Sequence, residues 1–514
     1  MDNLKKRLLD YYQIDEEGYL KLTTPLSFSV LRDISNQKAV KDTISFLETI
    51  KENKEKVLVY GDYDCDGVMS SSILVLALRE FGITVNGYLP SRYLDGYGLN
   101  VANVEKIAKS GYKVIFTTDN GVTAKEALNK ARELGIKTIV LDHHEFSETP
   151  PCDYLLHPSL FRKKEEVPIS AGHLAFLFSK ALLKRYDPYL LVLGATSTLS
   201  DAMPLKDDNR MLVRLGISAL NEYSFPSFSL LYSEGDIDEE SLTLSIIPKI
   251  NAVGRLEKDT KINRLLSFFT LESPSKEKLA FYFNECNEKR KNLTKVKAEE
   301  ISLKEGEKGI VYFSDLPEGI NGLLASKLEA KYKKPVAIFS ESELFKDRYL
   351  ASLRAPKNFD LLVSLSKMSV SFLSMGGHPQ AMGCSINKGD LNLFKKEFLS
   401  LCSKASFEEK EDKYVPLLEN ELNSETCDLV CSFGPFGKEF EKPKFLLSNL
   451  SPLTFSYLKD GRYLSTKINN VSLLSFEFGK DFFEGKKSVN LIGYFHENFY
   501  LGQKRLQFIV EKAL

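Results

Sequence analysis

Between Val57 and His144 the chain alternates short apolar runs with helical patterns, and three of the runs stop at a cluster of acids or histidines. VLVY from Val57 leads into DYDCDG, KVIFTT from Lys113 into Asp119, Asn120 and Gly121, and KTIVL from Lys137 into Asp142, His143 and His144. A further run, ITVNGYLP from Ile83, lies between them, with helical patterns at 68–81, near 101–110 and at 124–134. Such alternation predicts a parallel sheet covered by helices on both faces and joined by right-handed crossovers. In such a sheet neighbouring strand ends meet in space, where open α/β folds place their ligands.

Asp62, Asp64 and Asp66 alternate with Tyr63 and Cys65, so an extended backbone through them would project all three carboxylates to one side. Three such groups repel by roughly 1 kcal/mol per pair unless a cation neutralises them, and hard oxygen ligands suit Mg²⁺ or Mn²⁺. Gly67 and the serines after it allow a sharp turn into a helix. Each cluster has an ordinary reading: an acidic surface loop, a turn at Asp119–Gly121, a solvated pair at His143 and His144, and a helix end at Asp201 after the apolar stretch 189–199. All of them at element ends, each with metal-binding chemistry, is improbable by accident. The joint reading is a two-metal site, the carboxylates bridging two ions and the imidazole favouring Mn²⁺ over Ca²⁺.

At 514 residues the chain is too long for one core and predicts roughly three domains. No apolar run reaches the roughly 20 residues needed to cross a bilayer, and Met1–Asp10 is charged rather than signal-like, so a cytoplasmic protein without membrane contact is expected. The seven cysteines contain no CxxC pair, and Cys427 and Cys431, four apart, have no second pair, so neither a disulfide framework nor a thiolate zinc site is indicated. A net charge of −1 argues against polyanion binding by the whole surface, and any nucleic acid must meet a local basic groove.

Residues 1–50 read as a peripheral segment with helical patterns. The charged stretch Ser275–Leu303 reads as a long solvated helix bridging two domains. After it, GIVYFS, PVAIFS and YLASLRAP predict a smaller α/β domain, in which Gly376 and Gly377 would let backbone N–H groups approach an anion, or would simply make a turn. Beyond the charged run Phe407–Lys413, short β segments predict a small barrel. Phe455, Tyr457, Tyr463, Lys467, Tyr494 and Arg505 could stack on bases or follow a backbone there, or be core.

DYDCDG at Asp62, DNG at Asp119, DHH at Asp142 and the Asp201 segment, in this order, resemble the four motifs of the DHH phosphoesterases. PSRYLDGYGL around Arg92, KINAVGRL around Arg255, EGINGLLASKL from Glu318, ASLRAP around Arg354 and GGHPQAMG from Gly376 resemble the RecJ branch, single-strand-specific 5′ to 3′ DNA exonucleases of bacteria. The resemblance implies an N-terminal segment (1–50), a catalytic parallel-sheet domain (51–270), a connector helix (271–305), a smaller α/β substrate-binding domain (306–406) and an OB-fold barrel (407–514). It implies two divalent cations, Mn²⁺ or Mg²⁺, held by Asp62, Asp64, Asp66, Asp119, His143 and Asp201, with Asp119 between them. Asp142 would orient an imidazole, and His144 would bond the scissile phosphate or assist the leaving group. Arg92, Ser352 and Arg354 would hold a terminal 5′ phosphate, with Arg255 and His378 along the groove.

The implied activity is hydrolysis of single-stranded DNA from its 5′ end in repair and recombination, by a monomer working with a single-strand-binding protein and a helicase. Rival readings are a DHH phosphodiesterase acting on short oligonucleotides or cyclic dinucleotides, and a noncatalytic DNA-binding scaffold. The chain departs from the branch in lacking a Trp-His pair ahead of the Glu318 segment's glycine and in carrying Lys438, Glu439 and Phe440 after PFG. No partner-binding extension is expected beyond Leu514.

Overall fold

The structure, a computed structural model, describes residues 2–270, 275–304, 306–407, 413–500 and 503–514. Parts of two sequence features, residues 271–274 and 305 of the connector and 408–412 of the charged run, lie outside these.

Strands β1 (Lys56–Tyr60), β2 (Thr84–Tyr88), β3 (Val114–Thr118), β4 (Lys137–Leu141) and β5 (Tyr154–Leu156) form one sheet in the order β2-β1-β3-β4-β5. Every pairing in it is parallel. Side chains alternate across the pleat: Val57, Val59 and Phe116 enter the core beneath helices Cys65–Phe81, Ala171–Leu183 and Pro188–Ser200, while Leu58, Tyr60 and Ile115 face helices Val101–Lys109 and Lys125–Glu133. Both faces are therefore covered, which is why these strands read as unbroken apolar runs.

The helix Lys276–Glu300 starts in this core with Ala280 and Phe283 and delivers Ala298 to a second one. Its 25 residues span roughly 37 Å at about 1.5 Å per residue. The second body is a mixed sheet of β6 (Ile310–Phe313), β7 (Val336–Glu341), β8 (Arg348–Arg354), β9 (Phe372–His378) and β10 (Ala381–Asn387), ordered β6-β7-β8-β10-β9. Helix Glu318–Tyr332 covers one face and helix Leu391–Lys404 the other.

The third body has β11 (Val415–Leu417), β12 (Phe445–Leu450), β13 (Tyr457–Leu458), β14 (Tyr463–Ile468), β15 (Val471–Ser475), β16 (Val489–Tyr500) and β17 (Gln503–Ala513). Its sheet runs β11-β12-β16-β17-β15-β14-β13, and among the described residues β13 does not pair with β11. The expected barrel is thus not closed by a ladder: its edge strands, three and two residues long, are too short to supply one.

The first fifty residues do not form one peripheral element. Helix Asp2–Tyr12 buries Leu4, Leu8 and Leu9 among Val415, Phe445 and Leu447 of the third body, whereas helix Lys38–Glu52 sends Val40, Leu47 and Ile50 into the first core. The third body is clamped to the first by Arg210. Its guanidinium donates to the carbonyls of Phe433 (2.6 Å), Gly434 (2.8 Å) and Pro435 (2.8 Å), and lies 4.3 Å above the Phe440 ring. Phe440, one of the departures noted in the sequence, also stacks on Tyr12 at 4.4 Å. Among the described residues no helix is long and apolar enough to cross a membrane.

Candidate active site

The strand β1 ends at Tyr60, and the chain then turns rather than running on extended. Asp64 caps the next helix, its carboxylate accepting from Gly67 N at 3.1 Å, and Asp66 lies in that helix's first turn. The three aspartates converge, but through a strand-to-helix turn and not through the pleat that the sequence predicts. Gly67 makes the turn this tight: a Cβ there would lie 2.6 Å from the backbone N of Asp62. Asp66 is fixed by Ala171 N at 2.9 Å, Gly172 N at 2.8 Å and the Ser197 hydroxyl.

Asp119 sits at the end of β3 with φ at +61°, a left-handed conformation that aspartate tolerates better than most residues. Its neighbour Asn120 donates to the carbonyls of Gly61 and Thr118, both at 2.9 Å, tying two strand ends together. After β4, Asp142 uses one carboxylate oxygen to accept from the backbone of His143 (2.8 Å) and from Nδ1 of His144 (2.8 Å), while the other accepts from Val122 N at 3.0 Å. Asp142 therefore orients the His144 ring.

The ligand-type atoms of Asp62, Asp64 and Asp119 lie within 4.8 Å of one another, as do those of Asp66, His143 and Asp201 and those of Asp119, His143 and His144. His143 Nε2 stands 3.3 Å from Asp119 and 3.7 Å from both Asp66 and Asp201. All six proposed ligands are in one place, with Asp119 reaching both halves.

Among the described residues the positive charge near this cluster, from Arg92, His144 and Lys438, falls short of its carboxylates. Burial and then the charges of Asp66 and Asp64 hold the Asp119 carboxyl well above the usual carboxylate range, and burial with Asp64 does the same to Asp62. Burial and neighbouring aspartates push Asp66 up to about 7 and Asp201 up to about 8. Burial, reinforced by His144, pushes His143 down to about 4, leaving a neutral imidazole suited to ligation. His144 goes the other way: against the effect of burial, its bond to Asp142 raises it to about 9. One oxygen each of Asp62 and Asp201 is buried without a hydrogen-bond partner. Unpaired buried oxygens on like-charged carboxylates fit divalent cations.

A second cavity, of about 280 Å³, is lined from the first body by Arg92 and Arg255 and from the second by Glu318, Ser352 and Arg354. The Arg92 guanidinium lies 4.1 Å over the Tyr63 ring, and its Nε is buried without a partner. Tyr63 is flanked by Asp62 and Asp64, so one turn serves both sites. Arg255 donates to the Gly319 carbonyl at 3.0 Å and Arg354 to the Ser326 hydroxyl at 3.0 Å. Gly376 and Gly377 also line the cavity, but from the edge strand β9 and not from a loop. His378, expected along the groove, is exposed and outside the cavity lining.

Sequence reasoning missed Tyr63, whose signal was its place between two aspartates, and Gly319 and Gly322, which lie inside a segment singled out only for resemblance. It also missed Tyr97, an exposed ring whose centroid is 6.3 Å from His144. In the third body, Phe455 and Tyr457 pack against Phe483, Tyr463 leans on Phe476, and the ammonium of Lys442 lies 5.9 Å from the Tyr494 ring centroid. Lys467 and Arg505 are exposed.

Residues 56–196 match the model of the DHH family, N-terminal domain, and residues 415–512 match that of the RecJ OB domain. The chain is 30% identical to the single-stranded-DNA-specific exonuclease RecJ of Bacillus subtilis over 442 residues, covering 81% of this chain and 55% of that protein. It is 29% identical to the protein of the same description from Haemophilus influenzae, covering 79% of this chain and 77% of the other. The chain thus spans about half the length of the first of these relatives. The crystal structure of RecJ in complex with Mn²⁺ from Thermus thermophilus superposes with a TM-score of 0.82 at 23% identity, over 99% of this chain and 76% of that one. With a DHH motif set at its strand ends, the chain carries a DHH-family N-terminal domain and, behind it, a RecJ OB domain, the pair that supports its likeness to the RecJ exonucleases.

Proposed function

We propose that the protein is a metal-dependent exonuclease that hydrolyses single-stranded DNA from a 5′ end. The observation that carries this reading is the pairing, across one turn, of a crowded, buried carboxylate cluster with an arginine-lined cavity. The relatives named above, described as single-stranded-DNA-specific exonucleases, support the choice of substrate.

Asp62, Asp64, Asp66, Asp119, His143 and Asp201 would hold two divalent cations, Mn²⁺ or Mg²⁺, which polarise water and neutralise charge on the phosphoryl group when bound. Asp119 is the residue in reach of both positions. Asp142 keeps the His144 ring turned and charged, so its free nitrogen can donate to a phosphate oxygen at the scissile bond. Arg92, Arg354 and Ser352 supply the donors for a terminal 5′ phosphate, Arg255 closes the same cavity, and Gly376 and Gly377 leave room for it. The orphaned Nε of Arg92 is a donor in need of such an acceptor.

The proposed division of labour gives cation binding to residues 51–270, terminal recognition to 306–406 across the connector 271–305, and strand handling to 407–514. The protein would act as a monomer in the cytoplasm, in repair and recombination, on strands exposed by a helicase and covered by a single-strand-binding protein.

A nuclease assay tests this. A single strand labelled at its 5′ end should release label as mononucleotide at once, and a 3′ label should appear in mononucleotide only at the end. Blunt duplex should resist, and EDTA should abolish the reaction. Preference for dinucleotides over long strands would favour the short-oligonucleotide reading instead.

A further inference from the structure

Among the described residues, away from the catalytic cluster, one other group of metal-type donors stands together: the thiols of Cys427 and Cys431 and the carboxylate of Glu497, their ligand atoms within 4.8 Å of one another. The two cysteines are one turn apart on helix Ser424–Cys431 and point the same way. Cys427 is buried in the third body's core, Cys431 is exposed, and the Cys427 thiol lies 3.5 Å from Glu497. Glu497 comes from far along the chain, on β16. That strand pairs with β12 only from Val489 to Gly493 and beyond that only with β17, so Glu497 sits on the projecting part of a hairpin.

Three properties make this a site and not a chance meeting. Two cysteines at a C-x₃-C spacing fall within the range used by structural zinc sites. Two soft thiolates with one carboxylate select zinc-like ions over Mg²⁺ or Mn²⁺. The neighbouring cation, Lys442, is already matched by Glu240 at 3.0 Å, which also accepts from His496 at 2.9 Å, so it does not spoil the site by charge.

We propose that Cys427, Cys431 and Glu497 bind one zinc-class divalent cation, with a water completing four ligands on the side of exposed Cys431. Binding takes up the ion and releases the two thiol protons; the carboxylate releases none. The ion joins the helix to the hairpin. His496, one residue earlier, is held by Glu240 of the first body, so the projecting hairpin would be fixed from both sides: to the catalytic domain through His496 and to its own domain through the metal.

Cobalt reports on such a site because sulfur-to-Co²⁺ charge transfer absorbs in the near ultraviolet, whereas oxygen and nitrogen ligands give no such band. Titrating the full chain with Co²⁺ alone should produce the band, Zn²⁺ should erase it, and Zn²⁺ binding should release about two more protons per chain from the wild type than from Cys431→Ser, the catalytic carboxylates releasing the same number in both. The Asp119→Ala protein, altered only at the catalytic cluster, should keep the band. Cys431→Ser, at an exposed position, should lose it while retaining wild-type circular dichroism and strand degradation, and Cys427→Ser should lose it too. A band that survives in Cys431→Ser, no band in the wild type, or a Cys427–Cys431 disulfide in protein purified without reductant would overturn the proposal. None of these results bears on the exonuclease reading.

Discussion

The carboxylate cluster and the arginine cavity share the turn 61–64 yet solve opposite problems. The first packs five acidic side chains with too little positive charge; the second packs three guanidinium groups, and burial with Arg92 nearby pushes Arg255 down to about 10. Each region is electrostatically incomplete, and what completes one is the opposite of what completes the other: cations for the acids, phosphate for the arginines. Under the proposed function a metal-loaded, phosphate-terminated strand would satisfy both together and couple chemistry to end recognition.

The comparison breaks most severely at Asp119, whose carboxylate reaches both Asp62 with Asp64 and His143. Asp119→Ala should lower strand degradation by about 10³-fold or more, about 4 kcal/mol in transition-state stabilisation, with the circular dichroism unchanged. His144→Gln keeps the acids but removes the charged donor, and should cost about 10²-fold in turnover with little change in metal affinity. On the cationic side, Arg354→Ala should reduce kcat/KM by about 10- to 100-fold on 5′-phosphorylated strands, as for the loss of a hydrogen bond to a charged group, and much less on 5′-hydroxyl strands. A loss that ignored the terminal phosphate would show that the cavity does not read it.

The smallest effect is a thermal one. Asp66 and Asp201 keep their protons in the ion-free fold up to about 7 and about 8, whereas in the unfolded chain they lose them near 4. The folded state thus binds more protons between those values, and its stability falls as pH rises through that window. Saturating Mn²⁺ removes the repulsion, so the rise in Tm it produces should be about 5 °C larger at pH 8 than at pH 5. Equal shifts at both pH values would mean that the carboxylates are not the groups being relieved.

Four strands of the first sheet were legible in the sequence because they are short and apolar, three of them punctuated by acids, all local signals; β5, three residues long, carried no such signal. The convergence of Asp62, Asp64 and Asp66 was legible as well, for the wrong reason: a capped helix start and a left-handed Asp119 bring the groups together, and neither shows in a hydrophobic pattern. The second site was less accessible. Arg92, Ser352 and Arg354 came from resemblance, since nothing in their spacing joins residues more than 250 positions apart, and Tyr63 beneath Arg92 looked like a spacer. The third body was least legible, because helix Asp2–Tyr12 completes its core from the far end of the chain and sheet closure depends on pairings that no local pattern encodes.

Gly319 lies in the first turn of the helix Glu318–Tyr332 that faces the first body, and a Cβ on it would lie 2.5 Å from the carbonyl oxygen of Arg255. Backbone meets backbone there, so the distance between the two jaws is set by a hard stop that no rotamer can soften. The aperture has a gauge, in the machinist's sense, and one added methyl group would act as a shim, widening the gap between the two bodies.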